Sequence, residues 1–336
     1  MFHSKISGLG MYVPENLVTN DDLSKVMETN DAWIQERTGI KERRHIKPGD
    51  GNTTAVMGAK AARKALEDAG IEADQIDLIV FATLSPDYYF PGCGVQIQEM
   101  LNIHTCPALD VRNQCSGFIY GLSVADQFIK TGMYRNILLI GSENHSGGLD
   151  MTTRGRNVSV IFGDGAGAVV ISRCEEDGFG ILSTHLHSEG KHALELALPQ
   201  PSTMHWVDEI IQEAGHDEPQ YYPYMNGQFV FKHAVVRFSE VIKEALQAHL
   251  LTPEDIGLLI PHQANLRIAQ FIQQKFKLRD DQVYNNIQHY GNTTAASIPI
   301  ALTEAYHQGK MKSGDLILLA AFGSGFTWGS ALIRWN

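Results

Sequence analysis

KALEDAGIEADQIDLIVFAT, residues 64–83, and EALQAHLLTPEDIGLLIPHQ, residues 244–263, follow one plan: an amphipathic helix, a short acidic connection, then an apolar strand. In each, the apolar residues pass from helical spacing to a continuous short run bounded by turn residues. The two stretches lie 180 residues apart, and that offset recurs. NILLIGSE (136–143) matches DLILLAAFG (315–323), and the helix through Leu122 and Ala125 matches one through Leu302 and Ala305. A last pair, FGDGAGAVVI and GSGFTWGSALI, falls at a shorter offset, as though one half had lost a piece. Three matches at one offset point to an internal duplication.

Each half reads as helices alternating with short apolar strands, which predicts layered α/β structure around a mostly parallel sheet. The boundary is expected near residue 175, after AVVISRC, giving halves 1–175 and 176–336. Residues 186–225 follow no regular pattern and read as a loop-rich insertion of the second half.

The 336 residues are 43% hydrophobic and 19% charged, an ordinary globular composition. The opening MFHSKISGLGMYVPENL has no basic stretch followed by a long apolar run. No apolar run approaches the roughly 20 residues that span a bilayer. The expectation is a cytoplasmic protein without a membrane partner. A net charge of −11 gives a nucleic-acid partner no electrostatic support. The four cysteines, Cys93, Cys106, Cys115 and Cys174, include no CxxC pair and read as free thiols. His185 and His187 share a strand face, but with only His192 as a third donor no metal site is expected. GDGAGA (163–168) lies between the apolar stretches VSVIF and AVVIS with no helix after its glycines, so it reads as a tight turn between two strands and not as a nucleotide loop.

Cys115 sits where a strand ending at Val111 gives way to a helix whose apolar positions are Ile119, Leu122, Ala125, Phe128 and Ile129. A thiol at a helix start is biased toward the nucleophilic thiolate. His262 follows the strand IGLLIP and is read as opening the helical stretch HQANLRIAQFIQQKF, and Asn292 in HYGNTTAAS again precedes a helix. In α/β sheets such junctions gather on one edge, where sites form. Position 295, the duplicate of Cys115, lies three residues beyond Asn292, so the two helix starts can face each other across the halves. Cys, His and Asn allow two chemistries. In a papain-like hydrolase, His is the base for Cys and Asn orients it. In acyl condensation, His and Asn both donate to a thioester carbonyl and stabilise the enolate left when carbon dioxide departs. The absent C-G-[SA]-C-[WY] flank and the duplication weigh against the first.

NQCSG (113–117), PHQANLRI (261–268), HYGNTTAAS (289–297) and AFGSGFTWGSAL (321–332) together resemble the β-ketoacyl-acyl-carrier-protein synthase III family of the thiolase superfamily. DAWIQERTGIKERR (31–44) and FGDGAGAVV (162–170) extend the likeness over nearly the whole chain. The resemblance implies a homodimer of five-layered αβαβα subunits with mixed sheets, acting without a cofactor on an acyl-coenzyme A primer and malonyl-acyl-carrier protein. It implies that Cys115 carries the acyl group, that His262 and Asn292 promote decarboxylation, and that the backbone N–H groups of Cys115 and Ser324 form the oxyanion hole. Trp33 and Arg156 resemble the pair around the adenine of coenzyme A, and Arg37 a phosphate contact. Gly227, Phe231 and Asn265 resemble the pantetheine tunnel, and Lys232 and Arg267 the carrier-protein contacts. Phe90 resembles the residue that closes the partner's acyl pocket. The NQCSG flank and the insertion leave a branched, longer or aromatic primer, or malonyl-coenzyme A as extender, as the alternative. A member that only binds acyl groups is the third reading, opposed by the intact Cys, His and Asn.

Overall fold

The computed structural model describes residues 2–204, 206–213 and 218–336. Positions 205 and 214–217 of the expected insertion therefore lie outside the described residues. The first sheet orders its strands His3–Tyr12, Gly165–Cys174, Asn136–Glu143, Leu78–Ala82 and Ala108–Val111. The second orders Gly180–Ser188, Thr327–Arg334, Leu316–Gly323 and Leu258–Pro261, and a parallel bridge from Leu259 to Val283 extends its far edge. The duplication is written in the register. Leu78 pairs with Ile137 and Leu258 with Ile317, at the same separation in both halves. The shorter offset of the last matched pair has its cause in a connection. The first half runs from Glu143 to Gly165 between strands, the second only from Gly323 to Thr327.

Alternation along the strands assigns each side chain to a layer. Leu78, Val80, Ile137, Leu139, Val169 and Ile171 face inward. There they meet the helices Gly117–Lys130 and Ser297–His307 and, beyond them, Ile317, Leu319 and Ile333 of the second sheet. Ile79, Phe81, Leu138, Ile140, Ala168 and Val170 face outward under the helices Thr54–Ala69 and Cys93–Met100. Leu259, Leu316, Leu318 and Leu332 do the same under Gly227–Ala248 and Leu266–Phe276. The layers are thus helix, sheet, helix, sheet, helix. Strands covered on both faces read as unbroken apolar runs, which is why the duplication was visible as LIVFA and LLIP.

Four expectations need correction. The sheets are mixed, as the resemblance implies, and not mostly parallel, as the periodicity alone predicts: Leu78–Ala82 runs parallel to both neighbours, but Gly165–Cys174 runs antiparallel to both of its own. GDGAGA is no tight turn between two strands. Its last glycines lie within Gly165–Cys174, while Arg156–Ser159 is a helical turn and Phe162 makes only a bridge to Asn292. The glycine is required by the central helix crossing the strand, because a Cβ on Gly167 would stand 2.7 Å from the nitrogen of Ile300. The insertion is also more regular than its sequence suggests. One strand continues through Ser188, Leu196–Ala197 pairs with Tyr224–Met225, and Val207–Glu213 is helical. Two-residue strands carry no readable periodicity. Finally, the helix after His262 begins only at Leu266, where Asn265 caps it through its side chain. Among the described residues, no helix is long and apolar enough to cross a membrane, and all four cysteines are free.

Candidate active site

Strand Ala108–Val111 leads to a single 3₁₀ turn, Gln114–Ser116, which runs straight into the central helix Gly117–Lys130. The duplicate turn, Thr294–Ala296, enters Ser297–His307 in the same way. Both turns open on a non-glycine residue in left-handed backbone, Gln114 at φ 43° and Thr294 at φ 50°. Such strain persists only where the surroundings impose it, and it clusters at functional turns. Here it sets Cys115 in one half and Ala295 in the other at equivalent points.

Gly323, the last residue of its strand, presses on Cys115. A Cβ there would lie 2.5 Å from the Cys115 Cβ and 2.8 Å from Sγ. The N–H groups of Ser324 and Cys115 itself favour a negative sulfur, but burial outweighs them and the Glu143 carboxylate adds to it, pushing the thiol up to about 12. The expected resting thiolate is thereby reversed: the helix-start bias loses to desolvation, and the resting group is a neutral thiol.

His262 follows the strand Leu258–Pro261, and only 4% of its surface is exposed. Its Nδ1 lies 2.6 Å from the Ser297 hydroxyl, which in turn accepts the Gln263 N–H at 3.4 Å. The buried Ser297 O–H has no acceptor other than Nδ1 among the described residues, so the serine donates to Nδ1, which leaves the ring hydrogen on Nε2. Nε2 is buried without a partner. Burial above all, with His145 second, pushes His262 down to about 3, so the imidazole is neutral at ordinary pH. Asn292 is equally committed: its Oδ1 accepts the Thr294 N–H at 2.8 Å, so Nδ2 is the end left to donate. The Thr294 hydroxyl contacts His145 Nε2 at 2.7 Å, which braces this turn from behind. The sequence reading missed Ser297 and Glu143. Ser297 had a signal, as a lone hydroxyl opening the otherwise apolar SIPIAL.

A cavity of about 760 Å³ joins these groups. Cys115, His262, Asn292 and Gly323 line it, as do Trp33, Arg37, Gly227, Phe231, Asn265 and Arg267 from the anticipated binding residues. The first three are buried whereas Arg267 is exposed, so the cavity runs inward from an arginine-rimmed mouth. Arg37 and Arg156 both stand over the Trp33 ring, at 4.5 and 5.2 Å from its centroid. Arg156 does not line the cavity itself and donates to the Glu28 carbonyl at 2.6 Å. Asn265 ties the mouth together by donating to the Arg37 carbonyl at 2.9 Å. Arg267 lies over Phe231 at 5.7 Å, and Lys232 is exposed beside it in sequence. Phe90 is 82% exposed and stands outside this chain's cavity. The insertion contributes two wall residues that were not anticipated, Leu196 and Met225. His185 and His187 both face Glu244, at 3.5 and 2.6 Å.

Comparison with known proteins agrees with this geometry. Residues 109–190 match the family model described as 3-oxoacyl-[acyl-carrier-protein (ACP)] synthase III, and residues 246–335 match that of its C-terminal part. The chain is 49% identical to a β-ketoacyl-[acyl-carrier-protein] synthase III of Rhodospirillum centenum, over 99% of both chains. It is 47% identical to the protein of that name from Salmonella arizonae, again over 99% of each. A crystal structure of 3-oxoacyl-[acyl-carrier-protein] synthase III from Aquifex aeolicus matches with a TM-score of 0.89 at 43% identity, covering 99% of this chain and 100% of that one. The chain has the thiolase fold and belongs to the β-ketoacyl-acyl-carrier-protein synthase III family, enzymes that form a carbon–carbon bond by acyl transfer.

Proposed function

We propose that Cys115 accepts the acyl group of an acyl-coenzyme A primer, and that the enzyme then condenses it with malonyl-acyl-carrier protein to open fatty-acid synthesis. In the first step the sulfur of Cys115 attacks the thioester carbonyl and the thiol proton leaves on coenzyme A. The N–H groups of Cys115 and Ser324 hold the oxyanion. In the second step the malonyl thioester carbonyl accepts hydrogen bonds from His262 Nε2 and Asn292 Nδ2. The bond to its carboxylate breaks, carbon dioxide leaves, and the electron pair becomes an enolate. The enolate carbon attacks the acyl–Cys115 carbonyl, the sulfur is expelled as a thiolate that takes a proton from solvent to restore the thiol, and a 3-ketoacyl thioester results.

The observation that carries this reading is the fixing of His262 by Ser297, which leaves a neutral Nε2–H buried without a partner in the cavity. In the papain arrangement Asn would hold the His. Here Asn292 is bound to its own turn instead, so both side chains present donors to one substrate oxygen.

The binding residues extend the proposal. Trp33, Arg37 and Arg156 take the adenine and phosphates of coenzyme A. A base between Trp33 and Arg156 needs two van der Waals layers of about 3.5 Å each, so the guanidinium shifts outward on binding. Gly227, Phe231 and Asn265 line the pantetheine path, and Lys232 and Arg267 meet the carrier protein. The catalytic groups divide between a half ending near residue 175, which carries Cys115, and a half that carries His262 and Asn292. We place the enzyme in the cytoplasm as a homodimer; the pairing is supported by the first sheet's edge strand Ala108–Val111 and the exposed Tyr88, Tyr89 and Phe90. In such a dimer Phe90 would close the partner's acyl pocket.

Intact-protein mass spectrometry after mixing with a panel of acyl-coenzyme A thioesters tests the central claim. One acyl adduct is expected, absent in Cys115→Ala, and the fastest thioester names the primer. No adduct from any thioester would sink the acyl-transfer reading.

A further inference from the structure

The duplication places Glu143 where the other half has Gly323, each the last residue of its strand, and Ala295 where the other half has Cys115. In one half the glycine leaves room against the turn for the thiol. In the other half the same niche is filled by a carboxylate. Glu143 is fully buried, and its oxygens accept from Thr83 Oγ1 at 3.0 Å, Ser85 Oγ at 2.6 Å, the Leu84 N–H at 3.2 Å and the Ala295 N–H at 3.3 Å. Three of these donors belong to the first half and one to the turn that presents Asn292. The carboxylate therefore bolts the two halves together directly behind the nucleophile.

We propose that Glu143 is a positioning residue that ties the Asn292–Ala295 turn to the Thr83–Ser85 segment and, through its own charge state, governs how readily Cys115 gives up its proton. The inference rests on Cys115 being the nucleophile. Ionised Glu143 opposes a negative sulfur, and protonated Glu143 does not. Burial pushes the carboxyl up to about 7 against its four donors, so its charge changes near neutral pH. The other titratable groups around it carry no compensating charge. Burial pushes the Cys93 thiol up to about 12, and burial holds His145 and His262 neutral. Among the described residues its hydrogen-bond donors are two hydroxyls and two backbone N–H groups, with no Lys or Arg.

The test is the pH profile of Cys115 alkylation by iodoacetamide, read by peptide mapping, which needs no turnover. Glu143→Gln removes the charge and keeps an acceptor. Alkylation at pH 9, where Glu143 is ionised, is expected to quicken about tenfold, the effect of shifting a thiol by one unit, and at pH 7, where half the carboxyls are already neutral, only about twofold, with the profile displaced to lower pH. Glu143→Asp keeps the charge and should stay near the natural profile. An unmoved profile in a folded Glu143→Gln protein would overturn the proposal. Should that variant not fold, Ser85→Ala serves: losing the shortest donor favours the protonated carboxyl, so alkylation at pH 8 should quicken about threefold, and an unchanged rate there refutes it. Failure of Cys115 as nucleophile would show separately, as persistence of the acyl adduct in Cys115→Ala.

Discussion

At the scale of the residue, the Ser297 hydroxyl decides what His262 can do. Held at Nδ1, the ring turns its other nitrogen to the cavity as a donor, while burial keeps it uncharged. A neutral donor suits an enolate whose charge develops late, because it binds the ground-state carbonyl without trapping it. Ser297→Ala leaves Nδ1 buried without a partner, at a cost of about 1–3 kcal/mol. If that loss falls on the decarboxylation step, it slows condensation by roughly ten- to a hundredfold. Acyl loading of Cys115 should stay within about twofold, since the loading step proposed above draws on the neighbouring N–H groups and not on His262. Single-turnover loading measured beside steady-state condensation separates the two. An equal fall in both would show that Ser297 supports the whole site instead.

At the scale of the element, the cap of Leu266–Phe276 links helix stability to the cavity mouth. Asn265 accepts the Arg267 N–H at 2.9 Å while its amide donates to the Arg37 carbonyl. One side chain thereby caps a helix and fixes the backbone of the residue beneath which Trp33 packs. Asn265→Ala should cost about 1 kcal/mol from the cap. It should also raise the KM for acyl-coenzyme A severalfold, with kcat little changed at saturation. Thermal melting and steady-state kinetics on the same preparation check both. A lower Tm with an unaltered KM would confine Asn265 to capping.

At the scale of the whole molecule, a chain of net charge −11 presents Arg37, Arg156, Lys232 and Arg267 around or near one opening. Neither Lys232 nor Arg267 has an acidic partner among the described residues. A local positive rim against an unfavourable global field acts over about a Debye length, roughly 8 Å at physiological salt. Arg267→Gln is therefore expected to raise the KM for malonyl-carrier protein far more than that for malonyl-coenzyme A. The gap between them should narrow as salt is added. Equal increases for both extenders would favour malonyl-coenzyme A as the natural partner and a specialised pathway.

The duplication, the layered α/β plan, the placement of Cys115 and Asn292 just ahead of the central helices and that of His262 at a strand end were legible because each is a local pattern. Apolar spacing encodes which faces are buried, and LIVFA and LLIP announced strands covered on both sides. The resting state of Cys115 was not legible, because helix-start bias is local whereas desolvation depends on everything packed around the sulfur. Ser297 and Glu143 were missed for the same reason: their partners stand 35 and up to 152 residues away in sequence. The glycines of GDGAGA were misread because the helix that demands them arrives from the other half. Sequence by itself determined the plan and the chemical groups. Only the tertiary structure decided their protonation and which end of each side chain meets the substrate, because burial and hydrogen-bond partners are properties of the packed chain.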